Sequence, residues 1–194
     1  FWYHDDLAAK TVADRLAMHE KWKAKKPIEW MTAKSEIVRR VAGEQADGTF
    51  TTQKVFADRF NGVLDGTGAG VMAWDDNVYF ACIPKLWMLQ DAKGDGVEAQ
   101  RKVIEDGFGV RVSLSGHDMN GFAIGYDGRV WGTIGDRGFN LTTKEGRKYD
   151  SHNRGAVFRF EPDGTNFEVF HFGLRNPKEI AFDEFGNEIG RAHV

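Results

Sequence analysis

Val157-Phe158-Arg159-Phe160-Glu161-Pro162-Asp163-Gly164-Thr165-Asn166-Phe167-Glu168-Val169-Phe170-His171-Phe172-Gly173-Leu174 is the stretch whose reading decides the fold. Val157–Phe160 reads as a short strand, Pro162-Asp163-Gly164 as a turn, and Val169–Leu174 as a second strand with a phenylalanine-bearing bend. Turn residues between two apolar runs are the signal of a hairpin. The arrangement occurs twice more upstream. Ile37–Val41, Ala46-Asp47-Gly48 and Val55–Phe60 form one copy; Leu86–Leu89, Gly94-Asp95-Gly96 and Val103–Phe108 form another. A third element follows each copy: residues 70–80, 121–131 and 179–187.

Asp47 and Asp95 are 48 residues apart, and Asp95 and Asp163 are 68 apart, with an insertion around 138–154. A unit of roughly 40–50 residues that carries several short strands is the signature of propeller blades. The pattern therefore predicts an all-β fold: a partial β-propeller of about three blades out of an expected six. A ring needs about four to eight blades to close, so the chain reads as part of a larger domain.

Composition agrees with a packed β domain. Hydrophobic residues make up 41% and aromatics 13% of the 194 residues, too many for a disordered chain. Lys plus Arg number 26 against 29 Asp plus Glu, for a net charge of −3, which argues against a nucleic-acid binder. The lone cysteine, Cys82, excludes an intrachain disulfide and a cysteine zinc site, and reads as a buried small hydrophobe. No apolar run is long enough for a transmembrane helix.

Residues 1–27 read as an N-terminal helical segment with a single helix over 5–26. Asp5 or Asp6 caps its start, Leu7, Val12, Leu16 and His19 share a face, and Pro27 ends it. The propeller strands are expected over 28–187. The chain begins at Phe1, so a signal peptide cannot be judged. Residues 188–194 back-translate to a common sequencing-adapter sequence and are expected to be a non-native tail, with natural sequence ending near Asn187.

Three polar stretches lie just outside strands, where loops of such a fold carry function. Gly116-His117-Asp118-Met119-Asn120-Gly121 offers a histidine, the usual general base near neutral pH. Gly135-Asp136-Arg137-Gly138 offers a carboxylate that could orient an imidazole. Gly173-Leu174-Arg175-Asn176-Pro177 offers a guanidinium fork for carboxylate or phosphate and an amide. Each also has a structural reading, as a turn or a bend between blades. Other signals are discounted. Asp91–Gly96 begins like a calcium loop but has Lys93 at a ligand position and Lys102 where a Glu is needed. Gly66–Gly70 lacks the lysine of a phosphate loop.

Taken together, the His117 segment, Ile134–Gly138, Leu174–Pro177, the Asp5–Val12 helix and the Cys82-Ile83-Pro84 strand end resemble the glucose/sorbosone dehydrogenase-like propellers. The closer similarity is to the PVC-type membrane-bound dehydrogenase family, over nearly the whole chain. The resemblance implies that His117 takes the substrate hydroxyl proton as hydride passes to pyrroloquinoline quinone (PQQ), and that Asp136, 19 residues on, supports it. It implies cofactor contacts at Arg175 and Asn176, with Lys178 standing where that family has Gln. It implies a sugar or polyol substrate, a cytochrome-type electron acceptor and a periplasmic or extracytoplasmic location. Calcium ligands and a haem domain would lie beyond Asn187, no metal ligand is expected within this chain, and the chain alone is expected to be inactive. Two other readings stay open: a non-catalytic propeller that binds protein or polysaccharide, and a calcium-dependent lactonase-type hydrolase.

Overall fold

The computed structural model describes residues 1–113 and 116–190. The chain is mostly β, in several small antiparallel sheets, none of which closes on itself. Strands β1 (Glu36–Glu44) and β2 (Phe50–Phe60) form a hairpin. Strands β3 (Gly68–Trp74), β4 (Asn77–Cys82), β5 (Lys85–Gln90) and β6 (Gln100–Asp106) form a four-stranded meander in chain order. A second four-stranded sheet joins β7 (Met119–Ile124) and β8 (Val130–Ile134) to β11 (Gly155–Phe160) and β12 (Glu168–Leu174). Between β8 and β11 the chain makes a separate hairpin, β9 (Phe139–Thr142) with β10 (Lys148–Ser151), at the position of the predicted insertion. Strands β13 (Ile180–Phe182) and β14 (Glu188–Gly190) pair at the end, so part of the expected non-native tail is in a strand; residues 191–194 lie outside the described residues.

The Asp-Gly turns form for a local chemical reason. Asp47 Oδ1 accepts the Thr49 N–H at 2.9 Å and its hydroxyl at 2.7 Å, and Asp163 Oδ1 accepts the same two groups of Thr165 at 2.9 and 2.7 Å. Asp95 Oδ1 accepts the Val97 N–H at 3.0 Å. The next residue in each turn has positive φ, +80° at Gly48, +79° at Gly96 and +80° at Gly164, which glycine adopts without strain.

Strand grouping differs from the sequence unit. Two of the Asp-Gly hairpins are the final halves of four-stranded sheets, β5–β6 and β11–β12, and β1–β2 is a two-stranded sheet by itself. The "third element" after each hairpin opens the next sheet, as β3–β4, β7–β8 and β13–β14. The described residues thus hold two complete four-stranded sheets flanked by two hairpins. The opening strands lie side by side, β3 against β7 and β7 against β13. The approach is close enough that a Cβ on Gly70 would sit 2.2 Å from the Asn120 carbonyl oxygen.

Two cores hold the sheets face to face. Val38, Phe56, Ala57 and Phe60 of the first hairpin pack on Phe80, Cys82 and Leu89 of the first sheet. The other face of that sheet, with Tyr79, Ala81, Ile83, Leu86 and Met88, packs on Val130, Ile134, Ala156, Phe158 and Phe160 of the second. Phe108 and Phe167 fill the remaining space, with Phe167 stacked on Phe158 at 5.3 Å. Rings of this size dominate the burial that holds such a core.

The single N-terminal helix is corrected to two. Helix α1 (Tyr3–Ala8) stops where Ala9 turns extended, with ψ 133°, and α2 (Val12–Trp22) starts afresh. The cause is a capping box: the Thr11 hydroxyl accepts the Asp14 N–H at 3.1 Å, and Asp14 Oδ2 accepts the Thr11 N–H at 2.9 Å. A short α3 (Ile28–Thr32) follows Pro27. The inward face is also different. Leu7 and Leu16 are exposed, and the buried residues are Asp6, Ala9, Arg15 and Met18. The helices cover one end of the sheets through polar anchors: Asp6 Oδ1 accepts the Val112 N–H at 2.7 Å, and Arg15 Nη2 donates to the Leu64 carbonyl at 2.7 Å. Among the described residues no helix is long and apolar enough to cross a membrane.

One core acid gives a pH signature. Burial of Glu105 on β6 pushes its carboxyl up to about 7 against the attraction of Lys144. Its charged form is disfavoured on folding, so its contribution to stability falls as pH rises from about 4.5 to about 7 and is then level. Glu105→Gln is expected to flatten that slope and to gain up to about 3 kcal/mol at pH 8 relative to the parent. Urea unfolding at pH 5 and pH 8 checks it, and parallel curves for the two proteins would refute it.

Candidate functional site

His117 lies in the loop that enters β7, and Asp136 in the loop that leaves β8. Because β7 and β8 are antiparallel neighbours, both loops emerge at one end of the second sheet. The structure brings the two side chains together, His117 Nδ1 to Asp136 Oδ1 at 2.8 Å. An ionised carboxylate only accepts, so the shared proton sits on Nδ1 and the lone pair is on Nε2. Nε2 has no hydrogen-bond partner among the described residues. The pair is half-buried, at 14% and 20% side-chain exposure, which shields it from water while leaving an approach. Arg137 Nη2 stands 3.4 Å from the same Asp136 oxygen and adds positive charge to the acid's surroundings.

Backbone bonds set the spacing of the two loops. The Gly135 N–H donates to the Asp118 carbonyl at 2.9 Å, and the Arg137 N–H to the His117 carbonyl at 3.4 Å. The approach needs glycine: a Cβ on Gly135 would fall 2.5 Å from the His117 carbonyl oxygen and 2.7 Å from Asn176 Oδ1. Gly135→Ala is therefore expected to push the His117 loop away and to destabilise the protein by about 1–3 kcal/mol. Loss of the His117–Asp136 coupling in histidine NMR spectra checks it, and an unchanged spectrum with unchanged stability would refute it.

Asn176 and Arg175 part company. Asn176 is buried, and its Oδ1 accepts from Asn120 Nδ2 at 3.3 Å. Asn120 Nδ2 also donates to the carbonyls of Asp118 at 3.0 Å and Pro177 at 2.9 Å, so the two amides tie the His117 loop to the 175–178 loop. Lys178 Nζ donates to the Gly116 carbonyl and to Asn120 Oδ1 at 3.2 Å, clamping the loop on the other side of His117. Arg175, in contrast, is exposed.

Sequence reasoning missed Asn120, Lys178 as a clamp, and the acid next to the histidine. Asp118 is fully buried; Oδ2 accepts from the Ser113 hydroxyl, and Oδ1 is buried with no partner among the described residues. Burial raises its carboxyl above the usual range, against the hydrogen bond from Ser113 and the charges of Arg15, Arg137 and Lys178. Arg15 on α2 is also buried, with its Nη2 on the Leu64 carbonyl. Burial lowers its guanidinium to about 10, and among the charges that favour its charged form Asp118 ranks first and Asp6 second. Asp118 itself was visible in the sequence as an acid directly before apolar Met119. Among the described residues no group of three His, Cys, Asp or Glu side chains is placed to hold a metal ion.

The fold and site define a mostly β protein of repeated antiparallel sheets, with a His–Asp pair set at the strand ends. The chain belongs to the family described as Domain of unknown function (DUF7133), whose sequence profile matches residues 18–193. None of the curated proteins matches it. Among solved structures it is similar to a chain in "Crystal structure of Nidogen/Laminin Complex", with 18% identity, a TM-score of 0.45, and coverage of 81% of this chain and 50% of that one. The chain therefore spans about half the length of that structure.

Proposed function

We propose that the chain is part of a quinone-dependent dehydrogenase that oxidises a sugar or polyol hydroxyl, built on a β-propeller to which it contributes about three of six blades. The observation that carries the reading is the 2.8 Å His117–Asp136 pair with Nε2 left unpartnered among the described residues. The repeated sheets and the side-by-side opening strands support the propeller.

In this reading His117 Nε2 takes the proton of the substrate hydroxyl. Asp136 holds the ring in that tautomer and stabilises the positive charge that grows on it. PQQ, when bound, supplies the hydride acceptor. The donor set fits such an anionic group: Arg175 offers an exposed guanidinium on the loop tied to the base. Asn176 Oδ1 and Lys178 Nζ take part in that tie, so both also hold Arg175 and His117 in place. In this reading calcium ligands and a haem domain belong to other parts of the protein, a cytochrome-type acceptor is its partner, and the protein works outside the cytoplasm.

The test is dye reduction by the full-length protein with a panel of sugars and polyols, with and without added PQQ. Turnover that needs the quinone is expected. Turnover that needs calcium alone, or ligand binding without turnover, would overturn the reading in favour of a lactonase or a binding module.

A further inference from the structure

The inserted hairpin brings a second polar cluster to the end of the sheet that carries His117 and Asp136. The loop 151–154 leads from β10 into β11, whose first residues pair with the last of β8. It touches the loop of the pair directly: a Cβ on Gly138 would lie 2.3 Å from the Ser151 carbonyl oxygen and 2.8 Å from His152 Cα. There the structure holds a cleft of about 260 Å³ lined by Asp150, Ser151, His152, Asn153, Arg154 and Phe172.

The lining has two kinds of surface. Phe172 on β12 is 62% exposed, a flat apolar ring in an otherwise polar wall. The polar wall is partly oriented in advance. Arg111 Nη2 donates to Asn153 Oδ1, which leaves Asn153 Nδ2 as a donor. The Ser151 hydroxyl donates to the Arg154 carbonyl at 3.3 Å, bracing the loop, and the Arg154 side chain is exposed. His152 Nδ1 and Arg111 Nε are buried with no partner. Buried polar atoms of this kind call for a partner from outside the chain, water or ligand. Asp150 is the one acid among the six lining residues, against Arg154 and the neighbouring Arg111.

A sugar ring has an apolar face of C–H groups and a rim of hydroxyls, which matches one aromatic wall and several fixed donors and acceptors. The volume lies just under the roughly 300 Å³ at which sites for larger small molecules begin, so it holds a single ring. The excess of cationic groups selects a ring that bears a carboxylate. We propose that this cleft is a subsite for a uronate unit of an acidic saccharide, with the ring on Phe172 and its carboxylate on Arg154. Asp150 and Asn153 then take ring hydroxyls. That the saccharide is also the molecule oxidised rests on the function proposed above; the binding itself does not.

Calorimetry on the full-length protein tests it, with trimers of glucuronate, galacturonate and mannuronate, each beside its neutral counterpart. At least one uronate trimer is expected to bind at least about tenfold tighter than its neutral counterpart, one charge-assisted contact being worth roughly that factor or more. Arg154→Ala is expected to abolish that preference, and Phe172→Ala to weaken binding about tenfold while Phe172→Tyr restores it. Unfolding midpoints should stay within error, since both side chains are exposed. Absence of binding, equal binding of neutral trimers, or Phe172→Ala and Arg154→Ala variants that bind like the parent would overturn the proposal. Uronate binding lost in these variants, in a protein that reduces no dye, would sustain the subsite and remove the dehydrogenase reading. Dye reduction with normal uronate binding in both variants would do the reverse.

Discussion

His117→Ala in the full-length protein is expected to lower turnover of the hydroxyl substrate by at least about 10²-fold, and by up to about 10⁴-fold, the usual worth of a general base. The argument is geometric. Nδ1 is committed to Asp136 at 2.8 Å, and Nε2 is the one ring nitrogen left to receive a proton. Asp136→Asn should also lower turnover, because an amide can offer its N–H to the ring and favour the opposite tautomer. Both losses should fall on kcat more than on KM, since neither side chain is asked to bind the substrate's remote parts. The unfolding midpoint of each variant separates chemistry from folding, because the pair is part-exposed and not part of either core. Undiminished turnover in His117→Ala would remove the histidine from the mechanism.

The second large effect is on stability. Arg15→Met is expected to cost about 1–3 kcal/mol at pH 7, the range seen when a buried group loses its hydrogen-bond partner, here the Leu64 carbonyl. Arg15 is 3% exposed and Asp118 is fully buried, so methionine would leave the Leu64 carbonyl without this bond and the Asp118 carboxylate with a weakened set of counter-charges. The sign with pH follows from the direction of the Asp118 shift. Its carboxyl is already raised by burial, and losing Arg15 raises it further. A raised folded-state value disfavours the charged form, so the loss should shrink as pH falls through that value. Arg15→Met combined with Asp118→Asn should recover the pH-dependent part of the loss, since no carboxylate then lacks counter-charge, while the lost Leu64 carbonyl bond stays lost. Urea unfolding at pH 7 and pH 4.5 reads all of this. Equal losses at both pH values, with no recovery in the double variant, would show that Arg15 acts through packing alone.

What could be read in the sequence was local. The Asp-Gly turns at Asp47, Asp95 and Asp163 encode their own hydrogen bonds within two residues, so they stand out without any partner strand. Which strands share a sheet was not legible, because the same alternation suits either neighbour; the repeat unit was therefore drawn half a sheet out of phase. The helical segment misled for a related reason. Leu7 and Leu16 suggested the inner face, yet Arg15 turns inward because the Leu64 carbonyl and the Asp118 charge await it there, and both come from distant sequence. At the site, the 19-residue spacing of His117 and Asp136 was legible only through a resemblance. The Asn120–Asn176–Lys178 tie was not legible, since nothing local marks three polar side chains as one another's partners.

The anchors between the N-terminal helices and the site region also bear on how the chain acquires its shape. Asp6 meets Val112, Arg111 meets the Leu7 carbonyl, and Asn140 meets the Lys10 carbonyl, partners separated by 104 to 130 positions. Contacts that distant in sequence are slow to form, because a long loop must close before any of them is rewarded. On a ribosome the helices emerge before these partners, and only the Arg15–Leu64 anchor, 49 positions apart, is within reach before a hundred further residues have followed. The docking of Asp6 and Leu7 onto Arg111 and Val112 therefore sets late, after the hairpins, whose partners lie close in sequence, have formed.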